Sequence, residues 1–456
     1  MTMLLMAAGV LGAALWIVLL FGAGAWLRIS SALFYLQPAV GPPLHALWQI
    51  GTSPYTLWRA GGILRSPLTA LLLAFAAVNA ASALWSPDPR TAVFYSVATI
   101  VTVALALHGT IAVARSNPGA ITSTLIVLAP VAAVQALSTA VFRMDSGVEL
   151  RYYATAPARL LLGRASAALS SGEATNNVLD PAKAGGILFL NGNRASMVMG
   201  VTALVYAMYA ISRSHRGAAA VAALSATGCA FTGSKTGIAL LILTPAIAVF
   251  WAVVVRSTFS AKLLSVLLMS VVVVGTAVAV PRYASDYVER SEEALVPRRV
   301  LWQTAIDAGL AHPFQGLGFG GWEQYSNQRL PTDVFREVAP VVFEPNYPPH
   351  NMLLFSLTRV GVIGPVLIIA ITLAAIFACV HRVGDQTALS SRLVMTGGAA
   401  TWIWVFIHAM GDNTEVWGTL NSVPFLAMAL AICAAVRREG PRERESDFVS
   451  TVTSRR

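Results

Sequence analysis

The chain has 456 residues, of which 56% are hydrophobic and only 11% charged, with a mean hydropathy of +0.67. A soluble domain carries about 25% charged residues, so the composition excludes a soluble globular protein and describes a polytopic membrane protein. The net charge of +10 does not point to nucleic acid, because most basic residues fall in loops on one side of the membrane, and Cys229, Cys379 and Cys433 lie in apolar spans without disulfide or metal-ligand spacing.

The first apolar stretch, residues 3–27, lacks a basic leader and exceeds the length a signal peptide needs, so it is expected to remain as the first span. Residues 31–50 are weaker, interrupted by Pro38, Pro42 and Pro43, and read as a kinked second span packed inside protein. Residues 67–84 make the third, followed by a tight turn, Trp85-Ser86-Pro87-Asp88-Pro89-Arg90, with its tryptophan at an interface. Spans at 91–113 and 120–142 lead into a long polar loop, 143–183. Residues 195–212, 218–231, 237–255 and 263–280 read as the sixth to ninth spans, the seventh short for a bilayer. A second long loop, 282–350, precedes spans at 352–380, 393–410 and 416–436, and the charged tail 437–456 reads as disordered. The expected fold is an all-α polytopic membrane protein of about twelve transmembrane helices, one domain over residues 1–436.

Basic residues set the orientation. Counting from a cytoplasmic N-terminus, one set of loops holds Arg59, Arg65, Arg115, Arg213, Arg216, Arg256, Lys262, Arg382 and Arg392, and the tail arginines lie on the same side. The short loops of the other set hold little beyond Arg28, Arg90 and Lys235. This positive-inside asymmetry puts both termini in the cytoplasm and both long loops outside it.

That topology gathers the reactive side chains on the outer face. Pro345, Pro348 and Pro349 hold the segment before His350 extended, and an apolar run starts after Asn351, so His350 is expected at the mouth of a span. An imidazole there, with an ordinary pKa of about 6.5, can take a proton from a hydroxyl, although a His-Asn pair at a helix start is also an ordinary cap. Arg194, in Asn191-Gly192-Asn193-Arg194, opens the sixth span, where helix amides and a guanidinium make an anion site. Lys235 opens the eighth span in the same way, and Gly233 to Gly237 has no nucleotide-loop frame. Each cation taken singly fits headgroup anchoring, but several converging with a histidine and a carboxylate, Asp412, suit an anionic substrate.

In the second long loop, Arg298 and Arg299 open an amphipathic helix with Trp302, Ile306 and Leu310 on one face, placed as a lid on the membrane. Gly316, Gly318, Gly320 and Gly321 then turn the chain, either against a ligand or against the membrane-facing part of the protein.

The order Arg298-x-x-x-Trp302, His312-Pro313, Gly316, Gly318, Gly320, His350-Asn351, Leu354, Gly361 and Gly364 resembles the O-antigen ligase and polymerase superfamily. Asn191-Gly192-Asn193 and a basic residue opening a later span are also similar to that family, but Lys235 is followed by Ala239 where the family often has leucine four positions after an arginine. The resemblance implies a metal-independent bacterial inner-membrane glycosyltransferase with no cofactor, taking a glycan from undecaprenyl pyrophosphate at the periplasmic face. Under it, His350 deprotonates the acceptor hydroxyl, Arg194, Lys235 and Arg298 or Arg299 neutralise the pyrophosphate, and Asn351 orients the imidazole or a sugar hydroxyl. Asn191 and Asn193 belong to the same substrate-binding set, and Asp412 orients His350, binds the acceptor or caps the last span. The acceptor is the lipid A–core sugar for a ligase, or another carrier-linked repeat for a polymerase of O-antigen or exopolysaccharide. His408, nearly a turn inside the eleventh span, reads as a packed polar residue. A transporter or flippase is a third reading, disfavoured because the spans carry few charges near mid-membrane.

Overall fold

The computed structural model describes residues 2–38, 43–60, 66–163, 166, 182–255, 285–330, 348–412 and 414–436. The expected ninth span (263–280), Pro345 to Tyr347 and the tail (437–456) lie outside the described residues. In chain order the helices are α1 (Thr2–Leu36), α2 (Leu44–Ala60), α3 (Pro67–Ala81), α4 (Pro89–Tyr95), α5 (Thr102–Ser116), α6 (Gly119–Met144), α7 (Ser146–Tyr153), α8 (Ala156–Leu162) and α9 (Gly192–Arg213). They continue as α10 (Arg216–Phe231), α11 (Lys235–Val254), α12 (Ser285–Ala311), α13 (Gly321–Arg329), α14 (Met352–Val360), α15 (Ile363–Val380), α16 (Leu389–Ala409) and α17 (Val423–Val436). A π-helical turn, Ser96–Val101, joins α4 to α5. The described residues contain no strand beyond an isolated bridge between Glu415 and Gly418.

Seven described helical segments are long and apolar enough to cross a membrane: Ile17–Leu36, Pro67–Leu84, Pro89–Ser116, Gly119–Met144, Gly192–Arg213, Lys235–Val254 and Ile363–Asp385. The chain is therefore a multi-pass helical membrane protein. Its centre is α9, α16 and α17. The last has 14 residues, about 21 Å of helix at 1.5 Å per residue, and almost all of its side chains are buried, so protein surrounds it. At Gly200 of α9 an added Cβ would come within 1.9 Å of the Trp404 ring of α16, whose Nε1 donates to the Met197 carbonyl at 3.1 Å. Glycine is what lets these two helices meet.

Three expected boundaries move. The first span was expected to end before Arg28, yet α1 runs on to Leu36 with a kink at Gly22, because Arg28 donates to Ser123 Oγ at 3.1 Å and need not reach a loop. Pro38 and Pro43 instead separate α1 from α2, since proline supplies no amide to carry a helix onward. The expected 352–380 span is two helices, α14 and α15, parted at Gly361, whose φ of +69° suits glycine and whose added Cβ would lie 2.5 Å from the Pro313 carbonyl oxygen. The 143–183 loop opens as α7 and α8, with Tyr153 donating to the buried Glu149 at 2.7 Å.

Candidate active site

The break at Gly361 makes α14 a separate nine-residue helix, so His350 stands at the start of a short packed helix rather than of a membrane span. Asn351 is its N-cap: Oδ1 accepts from the amides of Leu353 at 3.0 Å and Leu354 at 3.2 Å, so that oxygen serves the helix and does not orient the imidazole. His350 itself has φ of +50°, a left-handed conformation. Such a conformation costs a non-glycine residue roughly 1–2 kcal/mol, and neighbouring contacts must hold it. One of these is Trp302 of α12, whose Nε1 donates to the Pro349 carbonyl at 2.7 Å.

α12 packs against the protein through a side other than the Ile306–Leu310 face. Leu301, Ala305 and Ala308 are buried, while Ile306 and Leu310 are 38% and 75% exposed. Small residues win because the helices lie close: an added Cβ at Gly309 would meet Leu357 of α14 at 2.5 Å. The glycine turn after α12 likewise serves protein packing. Gly318 donates to the Arg359 carbonyl at 3.0 Å, Phe319 to Ser86 Oγ at 2.8 Å, and Trp85 Nε1 to the Gln315 carbonyl at 2.9 Å. Its backbone is tied to α14 and to the Trp85–Arg90 turn instead of lying open to a ligand.

Asp412 reaches the same place from the turn after α16. Its Oδ1 lies 3.9 Å from His350 Nδ1, and both side chains are largely buried. A clamp holds that turn against α14: Arg359 Nη1 pairs with Glu415 Oε1 at 3.5 Å, and its guanidinium stacks on Phe355, 3.7 Å from the ring centre, with Phe319 at 4.6 Å. Burial pushes the His350 pKa down to about 4; Asp412 opposes this, while the charges of Arg298 and Arg194 reinforce it. The ring is therefore neutral at pH 7, and at 3.9 Å its contact with Asp412 is a juxtaposition of dipole and charge, not an ion pair. The acid limb of kcat/KM is accordingly expected near pH 4. Arg298→Ala should move it to higher pH by removing a repelling charge, and Asp412→Asn to lower pH by removing an attracting one. A pH–rate profile of the three proteins checks both signs, and shifts in one common direction contradict the assignment.

The cations come from two helix starts. Asn191 caps α9, its Oδ1 accepting from Asn193 at 2.7 Å, and Arg194 is exposed in the first turn, so Asn191 and Asn193 build the helix start that presents it. Lys235, half-buried, is the first residue of α11 behind the Ser234 cap. The two starts are locked together: an added Cβ at Gly192 would meet the Thr232 carbonyl oxygen at 2.6 Å, and one at Gly237 would meet Ser196 at 2.7 Å. Arg298 is half-buried and Arg299 exposed, and neither Arg299 nor Lys235 is among the charges that shift His350.

His408 has a larger place here than its position in an apolar helix suggests. Its Nε2 lies 2.7 Å from Ser196 Oγ, both residues buried, and Ser196 also donates to the Asn193 carbonyl at 2.8 Å. Asp412, four residues on, is the charge that acts on its ring. One buried imidazole thus joins the turn bearing Arg194 to the turn bearing Asp412.

A family described as O-Antigen ligase matches residues 220–369, from within α10 to within α15. The matched segment holds Lys235, Arg298, Trp302, the glycine turn and His350. Over these residues the chain is similar to the O-antigen ligase family. That family implies a membrane enzyme of the glycosyltransferase type, acting on lipid-linked glycan and polysaccharide. Arg194, His408 and Asp412 lie outside the matched segment and are brought to it by folding. No curated protein matches the chain.

Proposed function

We propose that this protein transfers a glycan from undecaprenyl pyrophosphate to a sugar hydroxyl of lipid A–core at the periplasmic face of the bacterial inner membrane, with about twelve spans and both termini cytoplasmic. The observation that carries the reading is a buried neutral imidazole, His350, set against Asp412 inside the fields of Arg298 and Arg194. A carboxylate on the Nδ1 side favours the Nδ1–H tautomer and leaves the Nε2 lone pair to accept a proton. The acceptor hydroxyl gives that proton to Nε2 as its oxygen bonds the anomeric carbon. The bond from that carbon to the pyrophosphate oxygen breaks, and Arg194, Arg298 and Lys235 stabilise the departing pyrophosphate. Membrane lipids surround the protein, and nucleic acid has no part in the reaction.

Purified protein in liposomes, given carrier-linked glycan with and without lipid A–core, tests this. Transfer to lipid A–core supports the ligase; chain growth on carrier-linked repeats alone reassigns the protein as a polymerase. The orientation has its own test, helped by the burial of Cys229, Cys379 and Cys433. Cysteines introduced at Ser171 and Glu292 are expected to react with a membrane-impermeant thiol reagent in intact spheroplasts, and one at Ser446 to stay unlabelled. Labelling at Ser446 overturns the periplasmic assignment.

A further inference from the structure

A groove lies at the end of the bundle remote from the candidate active site. α9 runs 22 residues from the turn bearing Arg194 to Arg213, about 33 Å at 1.5 Å per residue and so about the thickness of a bilayer's hydrocarbon core. Beside its far end a cavity of about 380 Å³ opens between α6, α9 and α10, its lining including Thr122, Ile126, Ala133, Tyr206, Tyr209 and Gly217. On α6 the lining runs from Thr122 to Ala133, eleven positions or about 16 Å of helix. That is half a bilayer core, the depth of one leaflet.

The wall offers hydrocarbon. Its hydroxyls are spent within the protein: Tyr209 donates to Thr122 Oγ1 at 2.7 Å and Tyr206 to the Leu125 carbonyl at 2.6 Å. What faces outward is apolar, with Ile126 and Pro130 exposed, and such a surface selects a hydrocarbon chain.

The mouth is basic. His215, in the turn between α9 and α10, lines it, and Arg216 is the next residue. Arg213 lines a small cleft that adjoins the groove across Tyr209 and Thr122, and all three basic side chains are exposed. Residues 103–144 and 192–255, which include α6, α9 and α10, contain no aspartate or glutamate. Two arginines at the mouth of an apolar groove between helices suit a phosphate headgroup with an acyl chain beneath it.

We propose that this groove binds one anionic glycerophospholipid of the leaflet remote from the candidate active site. Its phosphate sits at Arg213 and Arg216, and one acyl chain lies between α6 and α10. The length of the groove argues against a partner's transmembrane helix, which would need contact over about 30 Å instead of about 16 Å. The inference stands apart from the glycosyl-transfer reading, because it uses no residue of that site.

The test is native mass spectrometry of the detergent-purified full chain, given equal amounts of phosphatidylglycerol and phosphatidylcholine with identical acyl chains. The wild-type protein is expected to retain phosphatidylglycerol preferentially. Arg213→Gln and Arg216→Gln should each weaken that retention about fivefold, the effect of one basic side chain beside an anionic headgroup, and leave phosphatidylcholine unchanged. Ala129→Leu and Ala133→Leu, which fill the groove at half-buried positions, should weaken retention of both lipids. The two arginine variants change exposed side chains, so they test the proposal even where a leucine variant fails to fold. Equal retention of the two lipids by the wild type, or no loss in the arginine variants, overturns the site. Displacement of phosphatidylglycerol by bare undecaprenyl pyrophosphate in the wild type would assign the groove to the carrier's tail and overturn it as well.

Discussion

His350→Gln is expected to insert normally and bind the carrier-linked glycan, yet transfer it about 10²–10⁴-fold more slowly than wild type, the usual effect of removing a general base. Glutamine keeps hydrogen-bonding capacity but cannot take up a proton near neutral pH. The size of the effect separates chemistry from capping. A lost cap costs about 1 kcal/mol of stability and leaves the reaction intact, and here the cap belongs to Asn351, whose Oδ1 holds the first amides of α14. Asn351→Ala is therefore the control: it should lower the melting temperature while His350→Gln does not. The left-handed backbone at His350 lies beside the bond from Trp302 to the Pro349 carbonyl, which the glutamine substitution leaves untouched. Near-normal turnover by His350→Gln would leave the histidine a structural role and place catalysis on the cations.

Arg194→Ala should cost about 2–4 kcal/mol of transition-state stabilisation, or about 30- to 1,000-fold in rate, the range for one preorganised partner of a developing charge. Arg194 is exposed at a helix start where amides already favour an anion, so its removal takes away charge without leaving a hole in the core. Lys235→Ala is expected to fall in the same range, and Lys235→Arg to keep part of the activity, because a departing pyrophosphate demands charge more than fork geometry. Single-turnover rates at saturating glycan measure the loss directly. Wild-type rates in both alanine variants would assign the two cations to lipid headgroups.

The motif region was largely legible from the sequence because its signals are local. A helix start with Asn-Gly-Asn-Arg, a lysine behind Ser234, and a His-Asn pair before an apolar run are each visible within a few positions, and the structure places them at the starts of α9, α11 and α14. The glycine turn was visible too, but its partners were not. Gly318 and Gly361 answer to the Arg359 and Pro313 carbonyls and to Ser86, and nothing in a one-dimensional string says which backbone will approach. The protein-facing side of α12 was hidden for a related reason. Hydrophobic size predicts what avoids water, but close helix packing selects small residues, and in a membrane protein Ile306 and Leu310 need not be buried in protein at all.

Composition by itself determined that this is a multi-pass helical membrane protein. That follows because hydrocarbon tolerates neither unpaired backbone nor stray charge, so both constraints are written along the chain. Only the tertiary structure decided that Asp412 faces His350, that a buried His408–Ser196 contact joins the turn carrying Asp412 to the turn carrying Arg194, and that Arg359 clamps Glu415. These are contacts between residues tens to hundreds of positions apart. Their partners are chosen by how α9, α14 and α16 pack, and packing depends on the shapes of all the helices at once.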